Sequence, residues 1–135
     1  MKKMIYAAIA LIAIFILVLN SSIIADQMVN WANANPKDPD APLMMYRAGR
    51  YCNVMGDDNR AIEIYTQLQQ QYPERGELVA PAMYYCGEIK ANGSNILAYR
   101  KQAVPYLETV INEYPSQTEW GTKAKKLLDE VNYAH

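Results

Sequence analysis

Residues 42–73, PLMMYRAGRYCNVMGDDNRAIEIYTQLQQQYP, decide how this chain folds. Gly49 and Ala61 are small, Tyr65 is large, Gly56-Asp57 lies between them, and Tyr72-Pro73 closes the stretch. Small residues recur where two helices must approach closely and large ones where they interlock, so the stretch reads as a helical hairpin. The spacing predicts a first helix from Ala41 to Met55, with Asp40 as N-cap and Pro42 tolerated in the first turn. Gly56-Asp57 is the turn. Asn59 is expected to cap a second helix that runs to about Gln71 and stops at Tyr72-Pro73. The acidic pair Asp57-Asp58 is read as a capping device and not as a metal site.

The same hairpin is written a second time. Gly87, Ala103-Val104, Leu107 and Tyr114-Pro115 repeat the series in order. A third helix is expected from about Glu77 to Ala91, with Pro81 near its start, broken by Asn92-Gly93-Ser94-Asn95. The fourth ends at Tyr114-Pro115, and Pro105 inside it is expected to kink it, because its ring clashes with the carbonyl four residues back. Ser116 with Glu119 reads as a capping box for a last helix to about Asn132. That helix carries Trp120, Ala124, Leu127, Leu128 and Val131 at helical spacing. No stretch alternates with period two, so no sheet is expected. The predicted architecture is all-α: two helical hairpins plus a capping helix, behind an N-terminal hydrophobic helix.

That leader sets the expected compartment. Lys2 and Lys3 precede an apolar run from Met4 to Leu19, interrupted by Asn20-Ser21-Ser22 and resumed at Ile23-Ile24-Ala25. Two readings fit residues 1–25. One is a secretory signal peptide cleaved near Ala25, although Ile23 is not the small residue such a site prefers. The other is an uncleaved signal-anchor helix of roughly the length that crosses a bilayer, about 20 residues. Both keep the lysines on the cytoplasmic side and place the rest of the chain outside it, on the periplasmic side if the cell is bacterial. Residues 26–41 read as a short helix and a stiff proline linker through Pro36 and Pro39. Residues 42–135 carry the hairpins.

Composition excludes several classes. The net charge is −1 and no basic stripe exists, which argues against nucleic acid as a partner. Eleven tyrosines stand against one phenylalanine, a balance that suits helical surfaces where rings pack and hydroxyls stay wet. His135 is the only histidine, and one terminal histidine makes neither a metal site nor a catalytic triad. No nucleophile–base pair, phosphate loop or cofactor motif occurs, so the chain reads as non-enzymatic, with no cofactor.

With Pro42 as position 1 of a unit of about 34 residues, Gly49 falls at 8, Ala61 at 20, Tyr65 at 24 and Pro73 at 32. That series resembles the tetratricopeptide (TPR) repeat. The second unit is longer, and with Tyr-Pro closing each helix and Tyr84-Tyr85-Cys86-Gly87-Glu88 in the next it is similar to TPR proteins of the bacterial cell envelope. Those are the outer-membrane-assembly lipoprotein and the Tol–Pal coordinator. The resemblance implies a scaffold that binds protein partners on a concave face built from the first helix of each hairpin. Carried onto this chain, the binding positions are Leu43, Tyr46, Arg50 and Asn53 in the first unit, and Pro81, Tyr84 and Glu88 in the second. Arg50 and Glu88 are expected either to pair or to read charges on a peptide. The capping helix offers a rival surface, with Trp120 as anchor among Lys123, Lys125 and Lys126. Cys52 and Cys86 lie on first helices of neighbouring hairpins, which leaves a disulfide or two buried thiols open. The expected function is a non-catalytic envelope scaffold for protein assembly, membrane-tethered or secreted. The alternative is a small accessory subunit of a larger envelope complex or filament.

Overall fold

The computed structural model describes residues 1–133, so His135 lies outside the described residues. Among the described residues eight α-helices follow one another: α1 (Lys2–Leu19), α2 (Ser21–Ala34), α3 (Ala41–Val54), α4 (Asp58–Gln71), α5 (Gly76–Asn92), α6 (Leu97–Arg100), α7 (Val104–Glu113) and α8 (Thr118–Tyr133). No strand occurs among the described residues. α3–α4 and α5–α7 are the two hairpins. α3, α5 and α8 lie side by side in one layer, and α2, α4 and α7 alternate with them along the chain.

Each hairpin closes on a glycine. A Cβ on Gly49 would overlap the ring of Tyr65, and one on Gly87 would overlap Leu107. Only a residue with no side chain lets α3 meet α4, and α5 meet α7, at this distance. The α3–α4 turn also needs glycine, because Gly56 has φ +82. There the amide of Gly56 donates to Asn53 O at 3.2 Å and that of Asp57 to Cys52 O at 2.9 Å, the paired bonds of a Schellman C-cap.

Several expected caps are corrected. Asp57, not Asn59, caps α4: its Oδ1 accepts from the Arg60 amide at 3.3 Å. Asp40 precedes α3 but makes no side-chain cap bond. Helix α8 starts at Thr118, where the Gln117 carbonyl accepts from the Gly121 amide at 2.9 Å, so Ser116 lies too early to form the capping box. Pro105 does not kink a continuous helix. The chain passes through α6 and a 3₁₀ turn (Lys101–Ala103), then begins α7 afresh with Pro105 in its first turn, where the missing amide costs nothing.

The larger correction is at the N-terminus. The stretch from Met4 to Ala25 is not one helix; α1 and α2 meet at Asn20 and are bent by 46°. No single described helix is long and apolar enough to cross a membrane, although the bent pair passes by length and composition. The expected boundary after Ala25 falls inside α2, and Ala25, Val29 and Ala32 are buried in the domain core. Asp26 pairs with Arg60 of α4 (Nε 3.1 Å), and Asn33 accepts from Gln67 and Gln71 at 3.3 Å. The proline segment, expected as a stiff linker, is a hydrogen-bonded loop. Asp38 N donates to Asn35 O and Ala41 N to Asp38 O at 3.0 Å, and the Tyr72 hydroxyl donates to Pro36 O at 3.1 Å. By contrast α1 leaves Ile5, Tyr6, Ile9, Leu11, Ile12 and Phe15 exposed on all sides.

Candidate functional site

The helix layer α3–α5–α8 places the expected binding residues on one surface. Leu43, Tyr46, Arg50 and Asn53 line α3, half-buried, and Tyr84 and Glu88 line α5 in the same state; Pro81 is buried and contributes no surface. Between them runs a continuous ladder of rings. Tyr46 lies 6.1 Å from Tyr65, Tyr65 stacks on Tyr85 at 6.3 Å, and Tyr85 meets Tyr84 at 5.8 Å. Trp120 of α8 then packs against both Tyr84 (5.5 Å) and Tyr85 (5.6 Å). Aromatic pairs at such separations add about 0.5–1.5 kcal/mol each beyond their burial, so the ladder is held rigid before any partner arrives.

Two cations sit on the ladder. The Arg50 guanidinium lies 4.1 Å above the Tyr85 ring, and Lys123 Nζ lies 4.4 Å from the Trp120 ring while also pairing with Glu119 at 3.0 Å. The expected Arg50–Glu88 pair does not form. Arg50 is turned onto Tyr85, and Glu88 instead accepts from the Tyr84 hydroxyl at 3.3 Å. Burial, followed by the Glu88 charge, pushes the Tyr84 hydroxyl up. Burial also pushes up the Tyr46 and Tyr65 hydroxyls, and that of Tyr65 is enclosed without a hydrogen-bond partner among the described residues.

Trp120 therefore belongs to the same surface as Tyr84; the rival surface expected on the capping helix is its continuation. Lys123 and Lys126 border a cleft of about 230 Å³ with Tyr84, Leu127 and Glu130. A second cleft of about 210 Å³ is lined by Asn53, Asp58, Glu88, Ile89, Asn92 and Gly93. Both fall short of the roughly 300–1,000 Å³ of small-molecule sites, while the ladder runs across four helices, α3, α4, α5 and α8.

Tyr85 was missing from the expected set. Aligning Gly87 with Gly49 places it at the level of Arg47, on the side of α5 that faces the preceding hairpin, and the Tyr84-Tyr85 pair was the available signal. Cys52 and Cys86 are free and buried, not bonded. In the same alignment Cys86 matches Ala48, not Cys52, so the two thiols sit one helical turn apart in phase. Burial pushes Cys52 up to about 11 and Cys86 up to about 12, which keeps both protonated and unreactive.

No curated protein and no solved structure matches the chain. The tetratricopeptide repeat family model matches residues 44–75, which cover α3 after its first turn, α4 and the turn after them. That hairpin, with its Gly49–Tyr65 contact, is similar to the tetratricopeptide repeat, a module that generally mediates protein–protein interaction and is typically non-catalytic.

Proposed function

We propose that the chain is a non-catalytic adaptor, tethered to a membrane of the bacterial cell envelope by α1, that holds a protein partner on its aromatic ladder. The observation that carries the binding role is the ring series Tyr46–Tyr65–Tyr85–Tyr84–Trp120 with Arg50 laid upon it. Tyrosine, tryptophan and arginine are the side chains that dominate interface energetics, because they bury much area at small entropic cost. The partner's apolar side chains pack on the half-exposed rings of Tyr46, Tyr84, Tyr85 and Trp120, with Tyr65 buried beneath them, and its polar groups meet Arg50, Glu88 and Lys123 on the margins.

Tethering is supported by α1. Residues 4–17 of α1 are apolar and exposed on every side, and α1 meets the length and composition of a membrane span only together with its bent continuation into α2. Lys2 and Lys3 at its start suit the cytoplasmic headgroups, which puts the repeats on the far side. Retention of the leader is favoured over cleavage after Ala25, because cleavage would remove the first turn of α2 and the buried Ala25 with it. The compartment rests on this leader and on the resemblance to envelope TPR proteins.

An adaptor is favoured over a subunit stacked end to end in a filament. The outward side of α8 carries exposed Lys125 and Asp129, which puts charge on the C-terminal end of the stack. The test is the triple variant Tyr46→Ala, Arg50→Ala, Tyr84→Ala, purified from native membranes beside wild type and a control at the exposed Glu108 of α7, Glu108→Ala. Loss of the co-purifying partner with helicity intact in the triple variant alone is expected. Retention of the partner by the triple variant would overturn the ladder as the interface.

A further inference from the structure

The three connections that follow α2, α4 and α7 have the same backbone. Asn35 (φ −128, ψ 55), Tyr72 (φ −133, ψ 53) and Tyr114 (φ −124, ψ 51) are each followed by proline. Each accepts at its carbonyl from the amide three residues on, Asp38, Arg75 and Gln117, at 3.0 Å. The hydroxyl of Tyr114 reaches back to Pro73 O at 2.9 Å, and that of Tyr72 reaches back to Pro36 O at 3.1 Å. Asn35-Pro36 is thus the first member of the Tyr72-Pro73 and Tyr114-Pro115 series. α2 is the second helix of a hairpin whose first helix is missing from the fold.

Counting back from these three positions identifies what that missing helix would touch. Tyr65 and Leu107, seven residues before Tyr72 and Tyr114, fill the gaps left by Gly49 and Gly87; the matching residue of α2 is Met28. Ala61 and Ala103 match Ile24, and Leu68 and Val110 match Trp31. All six residues of the complete hairpins are fully buried. Their counterparts in α2 are equally apolar, yet Ile24 and Met28 are only half-buried and Trp31 is 39% exposed. The other side of α2, Ala25–Val29–Ala32, is the one that the domain covers. α3 supplies the second wall: Arg47, aligned with the ladder residue Tyr85, is exposed and makes no ion pair among the described residues.

We propose that this open position beside α2 and α3 receives a helix of another protein, running antiparallel to α2. The guest presents a glycine or alanine against Met28, as Gly49 does to Tyr65, and a carboxylate toward Arg47. The chain's own helices do not fill the role. α3 and α5 are each already packed in a hairpin, and α1 runs on from α2 through a 46° bend instead of folding back beside it. This surface is separate from the aromatic ladder and does not depend on it.

The test uses the full chain in its native membranes, with p-benzoylphenylalanine in place of Trp31, Arg47 or, as a control, the exposed Glu108 of α7. The expected result is that positions 31 and 47 cross-link to one segment of one other protein, mapped by mass spectrometry to a helix with a small residue at the site of attachment. Met28→Asp should reduce that adduct at least about tenfold while the helical circular dichroism signal at the labelling temperature stays that of wild type, since Met28 is only half-buried. The adduct should persist in the Tyr46→Ala, Arg50→Ala, Tyr84→Ala background, which separates this interface from the ladder. Adducts that map to α1, to a second copy of the chain or only to lipid would overturn the proposal. So would equal labelling from Glu108, or no adduct at all.

Discussion

At the scale of single residues, two glycines in helices behave in opposite ways. Gly49→Ala places a methyl group inside the ring of Tyr65, which is fully enclosed and has nowhere to move. The substitution should cost about 1–3 kcal/mol, and Gly49→Leu more. Gly121 in α8 has nothing within 4 Å of its would-be Cβ. Gly121→Ala should therefore stabilise by about 0.5–1 kcal/mol through helix propensity. Thermal unfolding of the two alanine variants side by side checks both signs; a Gly49→Ala midpoint at or above wild type would mean the hairpin contact is wrong. The thiols give a pH signature. Cys86 rises from an ordinary 9.0 to about 12, and Cys52 to about 11, because burial disfavours the thiolate. An acid whose pKa is higher in the folded state stabilises the fold fully below the unfolded value and loses that contribution as pH rises toward the folded one. Stability should thus fall as pH climbs from about 9 toward 12, less steeply in a Cys52→Ala, Cys86→Ala variant. At pH 8 neither thiol should react with Ellman's reagent until the chain unfolds; rapid labelling of the folded protein would contradict their burial.

At the scale of elements, α1 and α2 divide sharply although they adjoin. Residues 2–17 of α1 are exposed, while α2 is fixed by Ala25, Val29, Ala32 and the Asp26–Arg60 pair. Removing residues 1–19 should leave the melting midpoint of the remaining domain unchanged. Removing residues 1–35 uncovers the side of α3 that α2 protects. A loss of about 2 kcal/mol, the transfer energy of roughly one large apolar side chain, already corresponds to about 8–16 °C at this size. Circular dichroism melts of the two truncations measure the difference. Equal midpoints would show that α2 is a passenger and not part of the stack.

At the scale of the whole molecule, the domain is one stack with distinct ends: charge on α8, an open apolar position beside α2, and an unsheathed apolar helix beyond it. An export-dependent reporter such as alkaline phosphatase, fused to the C-terminus, should be active. The full chain should also stay with membranes through an alkaline carbonate wash. A cytoplasmic reporter that is active in the same place, or full release by the wash, would remove the tether from the proposed function.

Which parts of this were legible in the sequence follows from what each signal encodes. Gly49, Gly56, Ala61 and Tyr72-Pro73 specify local geometry: a close approach, a left-handed turn, a helix stop. Those demands hold in any context, so the all-helical hairpins, the α3–α4 turn and the face of α8 could be read directly. Tyr46, Arg50 and Tyr84 were named through the resemblance to the repeat, and Trp120 through the apolar stripe of the last helix. What they touch was not legible. Arg50 stacks on Tyr85 instead of pairing with Glu88, and Trp120 joins the ladder, because ring and cation partners are set by how three helices lie together. The role of α2 was hidden by Asn35, which keeps the backbone of the Tyr-Pro closures but not their side chain. Only the tertiary structure showed that the same bend occurs three times. Helix propensity and chain punctuation are local and are written in consecutive residues. The pairing of surfaces is decided by packing among residues far apart in the chain, and no run of sequence carries it.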